Sequence, residues 1–260
     1  MSTPAALRVY EHHAMVYRRT YQGSMISSFL NPVLYLSAMG LGLGTYVGRS
    51  GTAAASLGGL SYLVFLAPGL LAAVAMQQAA GESMWAVMGA IKWNKTYDAM
   101  LFTPIRIRDI LAGHLAWVTT RLISVTGVFL LVMTAFGAAV WPSAILAVPA
   151  GVLTGLAFAA LITAYSASQD NDDGFNALNR FVLVPMFLFS GTFFPVSQLP
   201  ELIRPIAYLT PLYHGVELCR SLALGRIDPG PVFVHVVYLA ALVLVGTVLA
   251  YRAFLRKLAR

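Results

Sequence analysis

Five long stretches of this sequence carry no formal charge, and they constrain its fold more than any other feature. They hold 29, 32, 48, 20 and 23 residues and lie between Arg19 and Arg49, Arg49 and Glu82, Arg121 and Asp170, Arg180 and Glu201, and Asp228 and Arg252. A helix needs about 20 mostly apolar residues to cross a bilayer. Charged residues make up only 10% of the chain, against about 25% in soluble domains. The sequence therefore predicts an integral membrane protein.

The number of spans follows from the lengths of these stretches. The 48-residue stretch is too long for one crossing, and Trp141-Pro142-Ser143 provides a break within it. Runs such as Phe129-Leu130-Leu131-Val132-Met133 do not alternate apolar and polar residues, which argues against a membrane β-barrel. We expect an all-α integral membrane protein with six transmembrane helices, forming a single domain over residues 1–260. The predicted spans are 26–47, 57–80, 110–136, 144–166, 175–194 and 232–255.

The distribution of basic residues predicts the orientation in the membrane. With six spans both termini lie on one side, and that side collects 12 of the 17 Lys and Arg residues. Arg49, Arg204, Arg220 and Arg226 fall on the opposite side, and Arg121 lies inside a span. Because short loops rich in Lys and Arg stay in the cytoplasm, both termini are predicted to be cytoplasmic. The net charge of +7 is thus mainly a topology signal, and nucleic acid is not expected as a partner.

Residues 4–22 precede the first span and form a predicted interface helix. Leu7, Tyr10, Ala14, Tyr17 and Tyr21 recur at spacings of three and four, which is typical of one face of a helix. The tyrosines and arginines of this segment suit the headgroup layer of the cytoplasmic leaflet, so membrane lipid is an expected partner. Packing of the same face against the protein's own helices is the alternative.

Residues 82–101 belong to the longest polar connection, between the second and third spans. Met84, Val87, Met88 and Ile91 occur at helical spacing, and Thr103-Pro104 follows the run. We expect a short helix here, parallel to the membrane on the cytoplasmic side and placed to receive a partner.

Residues 195–224 lie between the fifth and sixth spans and remain apolar although proline interrupts them repeatedly. The prolines are Pro195, Pro200, Pro205 and Pro211. We expect a re-entrant segment that dips into the membrane without crossing it, since irregular backbone is tolerated there only inside protein or beside a water-filled cavity. An ordinary extracellular loop with two short helices is the alternative.

The sequence lacks the residues that several kinds of chemistry require. A protein that hydrolyses nucleotide needs a phosphate-binding loop with a Gly-Lys pair, and none of Lys92, Lys95 and Lys257 follows a glycine. Apart from His12-His13 the histidines are scattered, so no metal site is expected. No nucleophile and base are spaced as a catalytic site requires. If ATP drives this protein, a separate subunit must bind it.

A few charged side chains fall near or within the predicted spans, where a functional role is the default expectation. For Arg121 a structural ion pair, a snorkelling role and a contact with substrate are all open. Glu217 and Arg220 are three residues apart and can pair on one face of a helix. None of the six predicted spans contains Asp or Glu, which argues against a proton- or sodium-coupled carrier. Gly151 and Gly155 permit close helix contact, with a dimer face as one candidate.

Two sets of residues resemble a known family. The first is Glu82, Trp93, Lys95-Thr96-Tyr97, Met100-Leu101, Thr103-Pro104, Asp109-Ile110, Gly113, Trp117 and Arg121. The second is Phe189-Ser190-Gly191-Thr192-Phe193-Phe194-Pro195, Thr210-Pro211-Leu212-Tyr213-His214 and Glu217. The first set resembles the cytoplasmic loop and third helix of the ABC type-2 exporter permeases. The second is similar to the nodulation-factor exporter permeases of that family, and the resemblance covers nearly the whole chain.

The resemblance implies a six-helix permease of the bacterial inner membrane that pairs with a second copy, expected as a homodimer, and with two cytoplasmic ABC ATPase subunits. No cofactor is expected in this chain, because the ATPase partner would hold ATP and Mg. A coupling helix to the ATPase is implied within 82–101, and extracellular re-entrant helices within 195–224. The candidate coupling residues are Glu82, Met88, Trp93, Lys95 and Tyr97. The candidate residues of the substrate path or gate are Arg121, Phe193, Phe194, Pro195, His214, Glu217 and Arg220.

The expected function is export of an amphiphilic substrate, such as a lipo-oligosaccharide, a glycolipid, a polysaccharide or a drug. A membrane scaffold or assembly factor without transport activity is the alternative. An intramembrane enzyme is disfavoured, because the predicted spans hold no paired acids, catalytic dyad or metal ligands.

Overall fold

The computed structural model describes residues 4–19, 21, 30, 32–44, 57 and 59–259. These residues form helices and contain no strand, as the sequence predicts. In chain order the helices are α1 (Ala5–Tyr17), α2 (Leu36–Leu43), α3 (Tyr62–Trp93), α4 (Thr96–Leu101), α5 (Ile107–Ala135), α6 (Ser143–Ser168), α7 (173–189), α8 (Arg204–Leu209), α9 (Pro211–Ala223) and α10 (Pro229–Leu258). Among the described residues, the helices long and apolar enough to cross a membrane are α3, α5, α6 and α10.

Three of these four helices agree closely with the prediction. Helices α5, α6 and α10 cover the predicted spans 110–136, 144–166 and 232–255 to within three residues at each end. Only part of the predicted span 26–47 lies in the described residues, and there residues 32–35 and 44 are α-helical and flank the π-helical turns of α2. The predicted span 175–194 appears as α7, a shorter helix with a π-helical turn at Asn179–Leu183. The count of six spans therefore stays a prediction.

Helix α3 differs from the predicted span 57–80. It begins after Ser61, whose side chain accepts a hydrogen bond from Val64 N, and it runs on to Trp93. The first half of the predicted loop helix is thus a continuation of the spanning helix. Glu82 therefore lies within α3 but beyond the end of the predicted apolar span at residue 80, and the expectation that the apolar spans contain no acid stays a prediction. The helix ends where Lys95 adopts a left-handed conformation with φ 49°.

Helix α6 occupies the centre of the bundle and packs against α3, α5, α9 and α10. Its glycines admit neighbouring helices of the same chain. A Cβ atom at Gly151 would lie 2.6 Å from the side chain of Leu71, and one at Gly155 would lie 2.5 Å from that of Leu122. This pair therefore serves packing within the chain, and the suggestion that it faces a second copy is wrong.

Helix α1 packs along α5, because Gly113 has no side chain to keep the two apart. A Cβ at Gly113 would lie 2.7 Å from the carbonyl oxygen of Ala6. Leu7, Met15 and Val16 of α1 remain exposed. One side of α1 thus packs against the protein's own helices, which was the alternative prediction for residues 4–22. The exposed apolar side chains of α1 suit a lipid surface.

The ends of the long helices define two opposite faces. Lys92, Asp170 and Lys257 meet at the face that we call inner, which is the predicted cytoplasmic side. At the outer face, Val140 N donates a hydrogen bond to Ala223 O at 2.9 Å.

Candidate functional site

A buried ion pair between Glu82 and Arg121 joins α3 to α5. Arg121 Nε lies 3.0 Å from Glu82 Oε1. The carboxylate also accepts hydrogen bonds from Gln78 Nε2 at 2.8 Å and Trp117 Nε1 at 3.2 Å. The guanidinium donates to the Tyr17 hydroxyl at 2.7 Å, which brings α1 into the same network. Since a charge inside a membrane protein is costly unless it is paired and hydrogen-bonded, this network explains how an acid can lie in a spanning helix.

A cavity of about 480 Å³ lies beside this ion pair. Its wall includes Glu82, Arg121, His12, His13 and Tyr97. Burial, and then the neighbouring His12, lowers the pKa of His13 to about 4, so this imidazole is neutral at neutral pH. The structural ion pair considered for Arg121 is confirmed by the geometry, and a contact between Arg121 and substrate in this cavity stays a prediction.

The other predicted coupling residues do not share one surface. Trp93 is 59% exposed, and Lys95 is exposed too. Met88 and Tyr97 are buried. The Tyr97 ring packs against Phe254, with the ring centroids 5.7 Å apart, and burial raises the pKa of its hydroxyl. Because buried side chains do not reach a second protein directly, Met88 and Tyr97 can only position the exposed ones.

Two exposed aromatic residues at the same face were missed by the sequence reasoning. Phe102 is 93% exposed, in the turn that precedes Thr103-Pro104. Trp85 stacks against Trp93 with the ring centroids 6.4 Å apart. We call Trp85, Trp93 and Phe102 the inner aromatic surface. For Phe102 the signal in the sequence was a large aromatic residue in a short turn between two helices, where no core is available to bury it; Trp85, within α3, had no such signal.

Asp170 binds two of the three lysines of the chain. Lys257 Nζ lies 2.6 Å and Lys92 Nζ 3.3 Å from the same carboxylate oxygen. The hydrogen bond from Lys257, together with that from Lys92, holds the pKa of Asp170 below its ordinary value. This exposed clamp joins the inner ends of α3, α6 and α10.

Replacing Asp170 by Asn should slightly lower the thermal unfolding midpoint at neutral pH, and the loss should depend on pH. Since the pKa is depressed in the folded state, the stabilisation is present above the ordinary carboxylate pKa of 3.8 and fades as pH falls through the lower, folded value. The midpoint difference between wild type and Asp170→Asn, measured in detergent, should be constant at neutral pH and shrink below about pH 4. Asp172→Asn, which removes a nearby carboxylate outside the clamp, is the control. A difference that grows as pH falls would contradict this assignment.

Arg220 forms a second buried network near the outer face. Its Nε donates to Phe65 O at 3.2 Å and its Nη2 to Gly191 O at 2.8 Å. The guanidinium lies 3.9 Å above the Phe65 ring, and Nη1 pairs with Glu217. The predicted pairing of Glu217 with Arg220 is confirmed. The network ties α9 to the outer part of α3 and to the turn after α7.

Helix α9 lies against the outer half of α6. Its last residue, Ala223, is bonded to Val140 at the outer face. A Cβ at Gly215, eight residues earlier, would lie 2.4 Å from the side chain of Thr154. At 1.5 Å per residue, Thr154 lies about 16 Å from the outer end of α6. Helix α9 thus reaches about halfway along α6.

The aromatic candidates of the gate lie at the turn that follows α7. Phe193 packs edge-on against Phe187, with the centroids 5.0 Å apart. Phe194 packs on a small apolar cluster around Val196. Pro195 borders a cavity of about 330 Å³, which Arg220 also lines.

His214 is brought next to His235, which is 21 residues further along the chain. Their Nδ1 atoms are 2.8 Å apart, and the His214 ring stacks on Tyr238 with the centroids 3.8 Å apart. The sequence offered no signal for this pair, because its members belong to different helices. Over the described residues, no group of three His, Cys, Asp or Glu side chains could hold a metal ion.

The fold and these networks define a helical, multi-span membrane protein in which the buried Arg121 and Arg220 are each paired with a carboxylate and aromatic side chains are exposed at the inner face. The family model of the ABC-2 type transporters matches residues 10–224. The chain belongs to this family, whose members are membrane-spanning transport subunits of ABC transporters and are not themselves enzymes. The resemblance found in the sequence is thereby confirmed.

Individual relatives match most of the chain. It is 34% identical over 220 residues to Nodulation protein J of Rhizobium leguminosarum bv. trifolii, covering 85% of this chain and 81% of the relative. It is 33% identical to Nodulation protein J of Rhizobium leguminosarum bv. viciae, covering 96% and 95%. It is 23% identical to the inner membrane transport permease YadH of Escherichia coli, covering 82% and 80%.

Proposed function

We propose that this chain is the permease subunit of an ATP-driven exporter in the bacterial inner membrane, with both termini in the cytoplasm. It works as a homodimer with two ABC ATPase subunits, which bind ATP and Mg and carry out hydrolysis. Its substrate is an amphiphile. The similarity to relatives named Nodulation protein J, with the resemblance to nodulation-factor exporters, favours a lipo-oligosaccharide over a drug.

The observation that carries this proposal is the continuity of α3. This helix runs from Tyr62 to Trp93, with an irregular turn at Met84 and a π-helical turn at Gly89–Trp93, over a length of about 48 Å at 1.5 Å per residue. Its inner end bears the exposed Trp93, and the Phe65 carbonyl near its outer end is bonded to Arg220 of α9. A displacement of the inner end of α3 can therefore be transmitted along this helix to the hydrogen bonds of Arg220 near the outer face.

This geometry supports the following mechanism. ATP binding closes the ATPase dimer and displaces the inner aromatic surface. Helix α3 transmits the displacement to α9 through Phe65 and Arg220. The re-entrant segment then acts as the outer gate, which is supported by the position of α9 halfway along α6. An amphiphile leaves through the interface between the two permease copies.

The docking role predicts that the double variant Trp93→Ala, Phe102→Ala loses coupling. Exposed aromatic residues dominate many protein interfaces, and truncating them costs about 2 kcal/mol or more, equivalent to roughly a 30-fold weaker affinity. Stimulation of ATP hydrolysis by the permease, measured with the purified ATPase in proteoliposomes, should fall at least severalfold, while the unfolding midpoint should not change.

The control truncates Trp141 and Leu202, which are 52% and 87% exposed but lie away from the inner aromatic surface. These substitutions should leave the stimulation intact. Equal stimulation of ATP hydrolysis by wild type and by the Trp93 and Phe102 variant would contradict the docking assignment. A chain that binds no ATPase and moves no amphiphile would instead support the scaffold alternative.

A further inference from the structure

A groove between α6 and α10 opens at the inner face. The two helices touch at Gly246, where a Cβ would lie 2.8 Å from the backbone nitrogen of Leu161. From there towards the inner face the space between them forms a cavity of about 570 Å³. At its inner end Lys257 reaches across and binds Asp170. The groove therefore lies between helices that contact each other at Gly246 and are joined by an ion pair at the inner end.

The lining of the groove changes from apolar to basic towards the inner face. Leu161 and Leu249 line its deeper part, and Ala164 and Ala253 the middle. Arg252 and Arg256, one turn apart on α10, line the rim. Leu249 and Arg256 are separated by about 10 Å along the helix axis. This distance matches the transition from acyl chains to headgroups in one leaflet.

Within the described part of the chain, no carboxylate neutralises the positive charge of the rim. Over residues 59–259, neither Arg252 nor Arg256 lies within salt-bridge distance of a carboxylate. The acid beside them, Asp170, is already shared by Lys257 and Lys92. An anion at the rim would therefore meet two guanidinium groups whose geometry suits phosphate oxygens.

We propose that this groove is a binding site for an anionic phospholipid of the inner leaflet. The phosphodiester lies between Arg252 and Arg256, and one acyl chain lies against Leu161 and Leu249. The apolar deeper wall favours a lipid over a soluble phosphate, because a free phosphate would leave that wall exposed. Basic pockets between transmembrane helices on the cytoplasmic side suit such headgroups. This site depends on α6 and α10 spanning the membrane and is independent of the transport proposal.

The experiment measures lipid retention by the purified full chain in detergent, using native mass spectrometry with added phosphatidylglycerol or phosphatidylcholine. Wild type should bind phosphatidylglycerol about tenfold more tightly than phosphatidylcholine, and the double variant Arg252→Gln, Arg256→Gln should lose this preference. The double variant Arg106→Gln, Arg108→Gln removes two exposed charges from the same face and should keep it. Ala253→Phe keeps the charges but fills the groove, and it should also lose the preference.

Four outcomes would overturn the proposal. The first is equal retention of both lipids by wild type. The second is loss of preference in the Arg106 and Arg108 control as well, which would show a diffuse effect of surface charge. The third is displacement of phosphatidylglycerol by millimolar inorganic phosphate, which would show a soluble phosphate site. A change of oligomeric mass in Ala253→Phe without any lipid effect would show a contact with a second copy, and this too contradicts a lipid site.

Discussion

Arg220→Met is expected to cause the largest loss of stability of any single charge removal on α9. The substitution removes the donors to Phe65 O and Gly191 O and leaves the Glu217 carboxylate without its cation. Deleting one partner of a fully buried ion pair costs about 3–5 kcal/mol, and because the Glu217 side chain is 35% exposed, we expect a loss of about 3 kcal/mol. Since total stabilities are about 5–15 kcal/mol, a large share of the fold's stability would be lost. The measurement is the free energy of unfolding by SDS titration in mixed micelles.

The nearby Arg226→Met is the matched control, because Arg226 is exposed at the same face. It should change the free energy of unfolding by less than about 0.5 kcal/mol. The double variant Glu217→Gln, Arg220→Met should recover part of the loss, since the unpaired carboxylate is then neutral. A loss in Arg220→Met no larger than in Arg226→Met would contradict the assigned network.

The second large effect is expected at the ion pair between Glu82 and Arg121. Arg121→Met should lower the free energy of unfolding by about 2 kcal/mol, less than at Arg220, because the Glu82 carboxylate keeps two neutral donors. Removal of Arg220, by contrast, also takes a donor away from the Phe65 and Gly191 carbonyls. Glu82→Gln should cost a similar amount. In a double-mutant cycle the two residues should show a coupling energy of about 1–3 kcal/mol. Independent effects that simply add would contradict a direct pair.

The conservative variant Arg121→Lys separates a structural role from a contact with substrate. Lysine keeps the charge but not the planar fork that bonds Glu82 and Tyr17 together. If the residue is structural, transport and stability should fall in parallel. If it also contacts substrate, transport should fall more than stability does. Arg108→Met, an exposed arginine on the same helix, is the control and should change neither.

Much of the architecture was predictable because it depends on local composition. Spans three, four and six were located to within three residues, since the apolar length that a bilayer requires is visible in the sequence. The boundary of α3 was misjudged because Glu82 was treated as the end of a span. A single acid does not end a helix when a buried partner neutralises it, and that partner lies 39 positions away at Arg121.

The candidate site was predicted only in part, because spacing in the sequence shows contacts only between residues that are close in the chain. The pairing of Glu217 with Arg220 was visible because three residues place two side chains on one helical face. The exposure of Trp93 and the burial of Tyr97 were not, although the two are four residues apart. The left-handed backbone at Lys95 reorients the chain between them, so helical spacing does not extend across it.

The sequence by itself determined the class of protein, three of its spans and the absence of a phosphate-binding loop, because each depends on residues that are adjacent in the chain. Only the tertiary structure decided which charges neutralise each other. Asp170 binds Lys92 and Lys257, 78 and 87 positions away, and Arg220 bonds the Phe65 carbonyl 155 positions away. Such contacts depend on how whole helices pack against one another. In this chain α3, α5, α9 and α10 all pack against α6.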